Sequence, residues 1–235
     1  MDVFPPHDPR NNPKALWVPD TLELDTATDK KTSDALARYW WAWYVAREAK
    51  CLFVNDFGCG TGYGSRILAE LPGREVRGYD INALALEVAK QEYPHEKINW
   101  HRMNFDEDWQ GLVEPADLHL VFDVVEELRH RDLFLMSLAD LIAAHRGETW
   151  VLFSLQCDYD QQRTIRGPRP PLAVGYSLTD FTRLLRRFFS VVIAYDSKLN
   201  HLDPGLPGVA FLNKLNVSGL QFGRNYVACR ESIKF

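Results

Sequence analysis

Along this chain, short apolar runs alternate with stretches whose apolar residues recur three or four positions apart. The runs predict buried strands and the spaced stretches predict amphipathic helices. Strands are predicted at Leu52–Val54 (closed by Asp56), Glu75–Tyr79 (ending at Asp80), Ile98–Arg102, Asp117–Phe122, Thr149–Leu155, Ser190–Ala194 and Asn225–Cys229. Helices follow from Ile67, Leu68 and Leu71, from Ala83–Gln91, and from Phe181, Leu184, Leu185 and Phe188. A further helix, capped by Ser33 or Asp34, carries Leu36, Tyr39, Trp40, Trp43, Tyr44 and Ala46, aromatic side chains suited to covering an edge of a sheet. Residues 1–32 hold Pro5, Pro6, Pro9, Pro13 and Pro19 without periodicity and predict an extended arm. Alternating strands and helices imply an α/β fold with an open, doubly wound, mostly parallel sheet.

Composition narrows the class. A chain of 235 residues suits one sizeable domain. A 46% hydrophobic and 25% charged make-up is that of a globular protein, and a net charge of −5 argues against broad capture of a polyanion. Cys51, Cys59, Cys157 and Cys229 form no Cys-x-x-Cys pair and no zinc spacing, which predicts free thiols in a reducing, cytoplasmic setting and no metal site. No run reaches the roughly 20 apolar residues of a membrane span.

The chemistry-bearing stretch is Asp56-Phe57-Gly58-Cys59-Gly60-Thr61-Gly62, a strand end running into a glycine loop and then a helix. Glycine permits positive φ and leaves no Cβ between main chain and ligand, while a helix start offers unpaired N–H groups. A dinucleotide fingerprint needs a third glycine three positions past the second, and every frame places Tyr63, Ser65 or Ile67 there. The frame that fits is an acid followed by G-x-G-x-G. It resembles the first motif of class I S-adenosylmethionine (SAM) methyltransferases.

That resemblance covers about residues 33–235 and implies a Rossmann-like, seven-stranded sheet whose last strand is antiparallel, with SAM as cofactor. It implies cofactor contacts from Asp56, Gly58, Cys59, Gly60 and Gly62. Asp80, about 20 residues past the loop, is placed to accept the ribose hydroxyls, and Ile81 to pack on adenine; the alternative for Asp80 is a turn residue or cap of the next helix. Asn104, Phe105 and Asp106 compete for the adenine edge, and Phe122 ends the fourth strand beside the cofactor. Arg38-Tyr39 resembles a basic-aromatic pair found before the first strand in many small-molecule methyltransferases. After the fourth strand, Asp123-Val124-Val125-Glu126-Glu127 is similar to a family segment in which a Glu-His pair stands, but Glu127 replaces the histidine. Asp123, Glu127 and His130 are the catalytic candidates. His119, inside a strand, reads as a packed histidine.

The expected activity is methyl transfer to a hydroxyl or amine of a small-molecule or sugar-like acceptor. The chain lacks an Asn/Asp-Pro-Pro-aromatic segment and a Pro-Cys nucleophile, which disfavours methylation of DNA bases. Arginines at Arg163–Arg169 and Arg183–Arg187 keep RNA or a nucleotide end as a second reading. A third, from a different class, is a non-catalytic SAM-binding partner subunit, motivated by Glu127.

Overall fold

The structure, a computed structural model, describes residues 30–155, 178–195 and 225–232. The proline-rich arm, Cys157, the loop Gln156 to Gly175 with its three arginines, and the stretch Leu202 to Gly219 lie outside the described residues. The elements run α1 (Lys30–Glu48), β1 (Phe53–Phe57), α2 (Tyr63–Ala69), β2 (Glu75–Asp80), α3 (Ala83–Glu92), β3 (Ile98–Arg102), β4 (Leu118–Phe122), α4 (Arg131–Ala143), β5 (Glu148–Leu155), α5 (Leu178–Leu185), β6 (Val191–Tyr195) and β7 (Asn225–Ser232). Two elements differ from the sequence reading. Helix α1 is already formed at Lys30, the first described residue, three residues before the expected cap. Helix α4 escaped the spacing argument because Leu133, Phe134, Leu135, Met136, Leu138, Leu141 and Ile142 surround the helix instead of forming one stripe.

One seven-stranded sheet has the order β3-β2-β1-β4-β5-β7-β6. Strand β7 is antiparallel to both neighbours, β5 and β6, and the other pairings are parallel. Order reverses between β1 and β4, and the glycine loop leaves the sheet at that switch point. The β1 register pairs Asp56 with Gly78 of β2 and Leu120 of β4, so its acid lies in the middle of the sheet.

Period-two alternation divides the core. Val54, Leu118, Leu120, Phe122 and Leu152 join the face covered by α1 and α2; Phe57, Tyr79, Val121, Val151 and Phe153 join the face covered by α4 and α5. Helix α1 is buried over consecutive residues Tyr39–Trp43, with Trp41 stacked on Phe122 and Tyr39 edge-on to it. A Cβ on Gly64 of α2 would stand 2.0 Å from the Tyr39 ring. A bare Cα is therefore what lets α1 and α2 meet. Gly64→Ala is expected to cost about 3 kcal/mol through overpacking. Adding Gly64→Ala to Tyr39→Ala should cost much less, in a double-mutant cycle read by urea unfolding; additive losses would show that the two residues do not share the contact.

Two buried titratable groups, one per face, pull stability in opposite directions with pH. His119 is fully buried, ring-stacked on Phe57, and its Nδ1 meets Asn55 Nδ2 at 3.3 Å. Burial, reinforced by His145, brings its pKa down to about 3. The unfolded chain takes a proton near pH 6.5 and the folded one does not, so this group's stabilisation is full above about pH 6.5 and lost as pH falls toward 3. Asp56 is the mirror case: burial pushes its carboxyl up to about 7, against hydrogen bonds from Ser65 and Tyr39. Its folded state keeps the proton, so stabilisation is full in acid and lost as pH rises toward 7. Between about pH 4.5 and 6.5 the two slopes offset. Relative to wild type, His119→Phe should gain about 2 kcal/mol as pH is lowered from 6.5 to 5, and Asp56→Asn should lose a similar amount. Urea unfolding across that range checks this; parallel profiles for all three proteins would contradict it.

Candidate functional site

The carboxyl ends of β1, β2 and β4 bring the loop, Asp80 and Asp123 to one edge of the sheet. Residues 58–62 turn across β2: the Gly58 and Cys59 N–H groups donate to Tyr79 O at 2.8 and 3.0 Å, and the Gly62 N–H donates to Cys59 O at 3.1 Å. All three loop glycines have positive φ, yet their missing Cβ atoms serve different purposes. At Gly58 a Cβ would strike Val124 Cγ2 at 2.6 Å, and at Gly62 it would strike Trp100 at 2.5 Å and Ala89 at 2.7 Å. Those two make room for protein. Gly60, with φ 55°, has nothing within 4 Å on that side, which leaves open space for a ligand to approach the main chain.

Asp56 does not face that space. It is fully buried beneath the loop, accepting from Ser65 Oγ at 2.6 Å and from Tyr39 Oη at 3.2 and 3.3 Å. Cys59 is also buried; burial, then Asp56 and Asp80, push its thiol well above the ordinary range, so it is no nucleophile.

Asp80 is half-buried at the end of β2. Oδ2 accepts the Gly60 N–H at 2.8 Å and Oδ1 accepts the Asn82 N–H at 2.8 Å. The cap of α3 is Asn82, whose Oδ1 accepts from Leu84 and Ala85 N–H at 3.0 and 3.3 Å, so Asp80 is not spent on capping that helix. Each carboxylate oxygen accepts up to two hydrogens, and Asp80 thus retains capacity for a diol. Beside it Ile81 is 57% exposed, an apolar platform at the edge.

The loop after β3 differs from expectation. Asn104 closes its own turn, with Oδ1 accepting the Asp106 N–H at 3.1 Å and Nδ2 donating to Glu107 Oε1 at 2.7 Å. Phe105 points into the core, edge-on to Phe57 at 5.0 Å. Asp106 accepts the Arg129 and His130 N–H groups at 2.7 and 3.0 Å, tying this loop to the start of α4. The Asn104 and Asp106 side chains are therefore engaged in loop structure, and the Phe105 ring in packing.

Phe122 is buried beneath α1, so the final side chain of β4 is a core residue. Asp123 follows it with φ 58°, a left-handed conformation uncommon outside glycine and held here by side-chain contacts. It is ion-paired with Arg38 and accepts from Ser154 Oγ at 2.9 Å. Burial opposes the Arg38 charge, but Tyr63 and Asp123 outweigh it and the guanidinium pKa is raised. Glu127 and His130, by contrast, are exposed, in the 3₁₀ turn Val125–Glu127 and at the start of α4. The structure thus puts Arg38 and Tyr39 at the site through Asp123 and Asp56, and leaves the two other catalytic candidates on the rim. Ser65, Ser154 and Trp100 carried no sequence signal of their own, because their partners lie on other strands and helices.

A SAM molecule needs an acceptor for its ribose diol, an apolar surface for adenine and a main chain it can touch. Asp80, Ile81 and Gly60 are groups of those kinds, so the residues present fit the cofactor. Among the described residues no cluster of His, Cys, Asp and Glu is arranged to hold a metal, and no helix is long and apolar enough to cross a membrane.

The domain and the fold are similar to those of known proteins. Residues 55–146 match a family model described as a methyltransferase domain. The fold is similar to a plantazolicin methyltransferase, BpumL, in complex with S-adenosylhomocysteine (SAH), at 12% identity and TM-score 0.61, over 89% of this chain and 92% of that one. It is similar to the methyltransferase domain of bacterial-CtHen1-C at 14% identity and TM-score 0.60, over 85% and 99%, and to the StiE O-MT at 16% and 0.54, over 84% and 74%. No curated protein matches the sequence. Over residues 55–146 the chain is similar to a methyltransferase domain, and its fold is one that solved methyltransferases share.

Proposed function

We propose that this enzyme transfers the methyl group of SAM to a hydroxyl or amine of a small-molecule acceptor, and that Asp80, Ile81 and the Gly58–Gly62 loop hold the cofactor. The observation that carries the reading is Asp80 clamped by the Gly60 and Asn82 N–H groups next to the open side of Gly60. Two fold neighbours support the acceptor class by name, one solved with a desmethylPZN analogue and SAH and one called an O-MT.

SAM supplies a methyl group on a sulfonium, already joined to a good leaving group. The protein's task is then alignment and exclusion of water, and positioning alone supplies several kcal/mol. Asp123, committed to Arg38 and Ser154, acts here as a holder of α1 against β4 and β5. A proton leaving a hydroxyl acceptor would pass to Glu127 or His130 on the rim, or to solvent. The main-chain N–H of Phe105 is the remaining candidate for the adenine edge.

The direct test of the ribose assignment pairs a protein change with a ligand change. SAH should bind Asp80→Ala about 1–3 kcal/mol more weakly than wild type by calorimetry. A 2′-deoxy SAH analogue should lose affinity for wild type but little more for Asp80→Ala. If the analogue is penalised equally in both proteins, Asp80 acts through the loop alone and the ribose role is wrong. For the base, Glu127→Gln and His130→Ala should each leave SAH affinity unchanged. The one that serves should lower kcat about 10²-fold at neutral pH and remove the acidic limb of the rate profile. If neither alters that profile, transfer proceeds without a base from this pair.

A further inference from the structure

Helix α4 starts after β4 and ends just before β5, and α5 likewise ends before β6, so their last turns meet at the amino edge of the sheet, opposite the glycine loop. Between them lies an open groove of about 640 Å³. Its floor is the buried pair Ile142 and Phe189, its apolar walls are Ala139 and the half-buried Phe188, and its rim carries Arg186 and Arg187, both exposed. Arg187 lies 6.0 Å from the Phe188 ring centre, and neither arginine is ion-paired among the described residues. No acidic residue lines the groove among the described residues. This is a local reversal of sign on a chain with five more acidic than basic charges.

We propose that this groove docks an acidic amphipathic peptide segment of a partner protein, its apolar face on Phe188 and Ile142 and its carboxylates on Arg186 and Arg187. Two features select this occupant. Bidentate geometry suits guanidinium to carboxylate, and the depression between the arginines rewards apolar side chains. A nucleic-acid backbone satisfies only the first. Two arginines neutralise about two phosphates, a small fraction of the contacts on which polyanion affinity rests. The site lies on the far side of the sheet from the glycine loop, so it recruits without entering the cofactor's place.

The test uses the full chain and a short fluorescein-labelled helical peptide with Leu on one face and Glu on the other, followed by anisotropy. Saturable binding is expected, at least about tenfold weaker for Arg186→Glu/Arg187→Glu. That variant should keep the wild-type thermal shift with SAH, since both side chains are exposed and remote from the loop. A peptide with Ser for Leu should bind at least about tenfold more weakly as well. Absence of binding by the Leu/Glu peptide, equal binding by the double variant, or equal binding by the Ser peptide would overturn the proposal. So would single-stranded RNA that competes with the peptide and binds more tightly with the same arginine dependence, since it would identify a phosphate track instead.

Discussion

A carboxyl group buried at the centre of the sheet is the constraint on which the carboxyl edge depends. Asp56 has no water to solvate it, so it must be met by hydroxyls, and Tyr39 of α1 and Ser65 of α2 supply them. Those contacts decide where two helices sit. Tyr39 can reach Asp56 only across α2 at Gly64, where a methyl group would collide with its ring. Once α1 is held there, Arg38 on the same turn falls to Asp123 and Ser154 at the ends of β4 and β5. One buried acid thus links β1 to the first two helices, and the adjacent residue of α1 extends that link to the other half of the sheet.

The loop above Asp56 divides its labour in a way that bears on binding. Gly58 and Gly62 are pressed against Val124 and Trp100, so their small size preserves packing between the loop and the elements below it. Gly60 alone among the three faces open space, and its N–H is fixed by Asp80. A ligand that reached this loop would meet a main chain already held in shape, which lowers the ordering cost of binding. Asp80 joins the two sides of the proposed cofactor site, because the same carboxylate that fixes the loop retains capacity for a diol.

Most candidate polar groups after β3 and β4 turn out to hold the edge together. Asn104 and Asp106 secure the loop before α4, while Asp123 secures α1. Glu127 and His130 have the exposure an acceptor-side base would need, yet no side-chain hydrogen bond fixes their orientation among the described residues. Such an arrangement suits a reaction whose leaving group is already good and whose main demand is alignment.

How much of this was legible in the residues alone follows from the range of the forces involved. Strand runs, the glycine loop and the acid after β2 are local patterns, so the sequence by itself determined the doubly wound sheet and put Asp80 at the end of β2. Helix α4 was lost to the same method because exposed Leu133 and Met136 blur the stripe that Phe134, Leu135, Leu138 and Ile142 bury. Only the tertiary structure decided that Asp56 and Phe105 face inward and that Asn82 caps α3 in place of Asp80. It also decided that two of the loop's three glycines make room for Val124 and Trp100. The reason is geometric: a side chain's type is written in the chain, but its partner sits on a strand or helix tens of residues away. Which donors and rings arrive there is settled when the sheet closes and the buried polar groups must be satisfied.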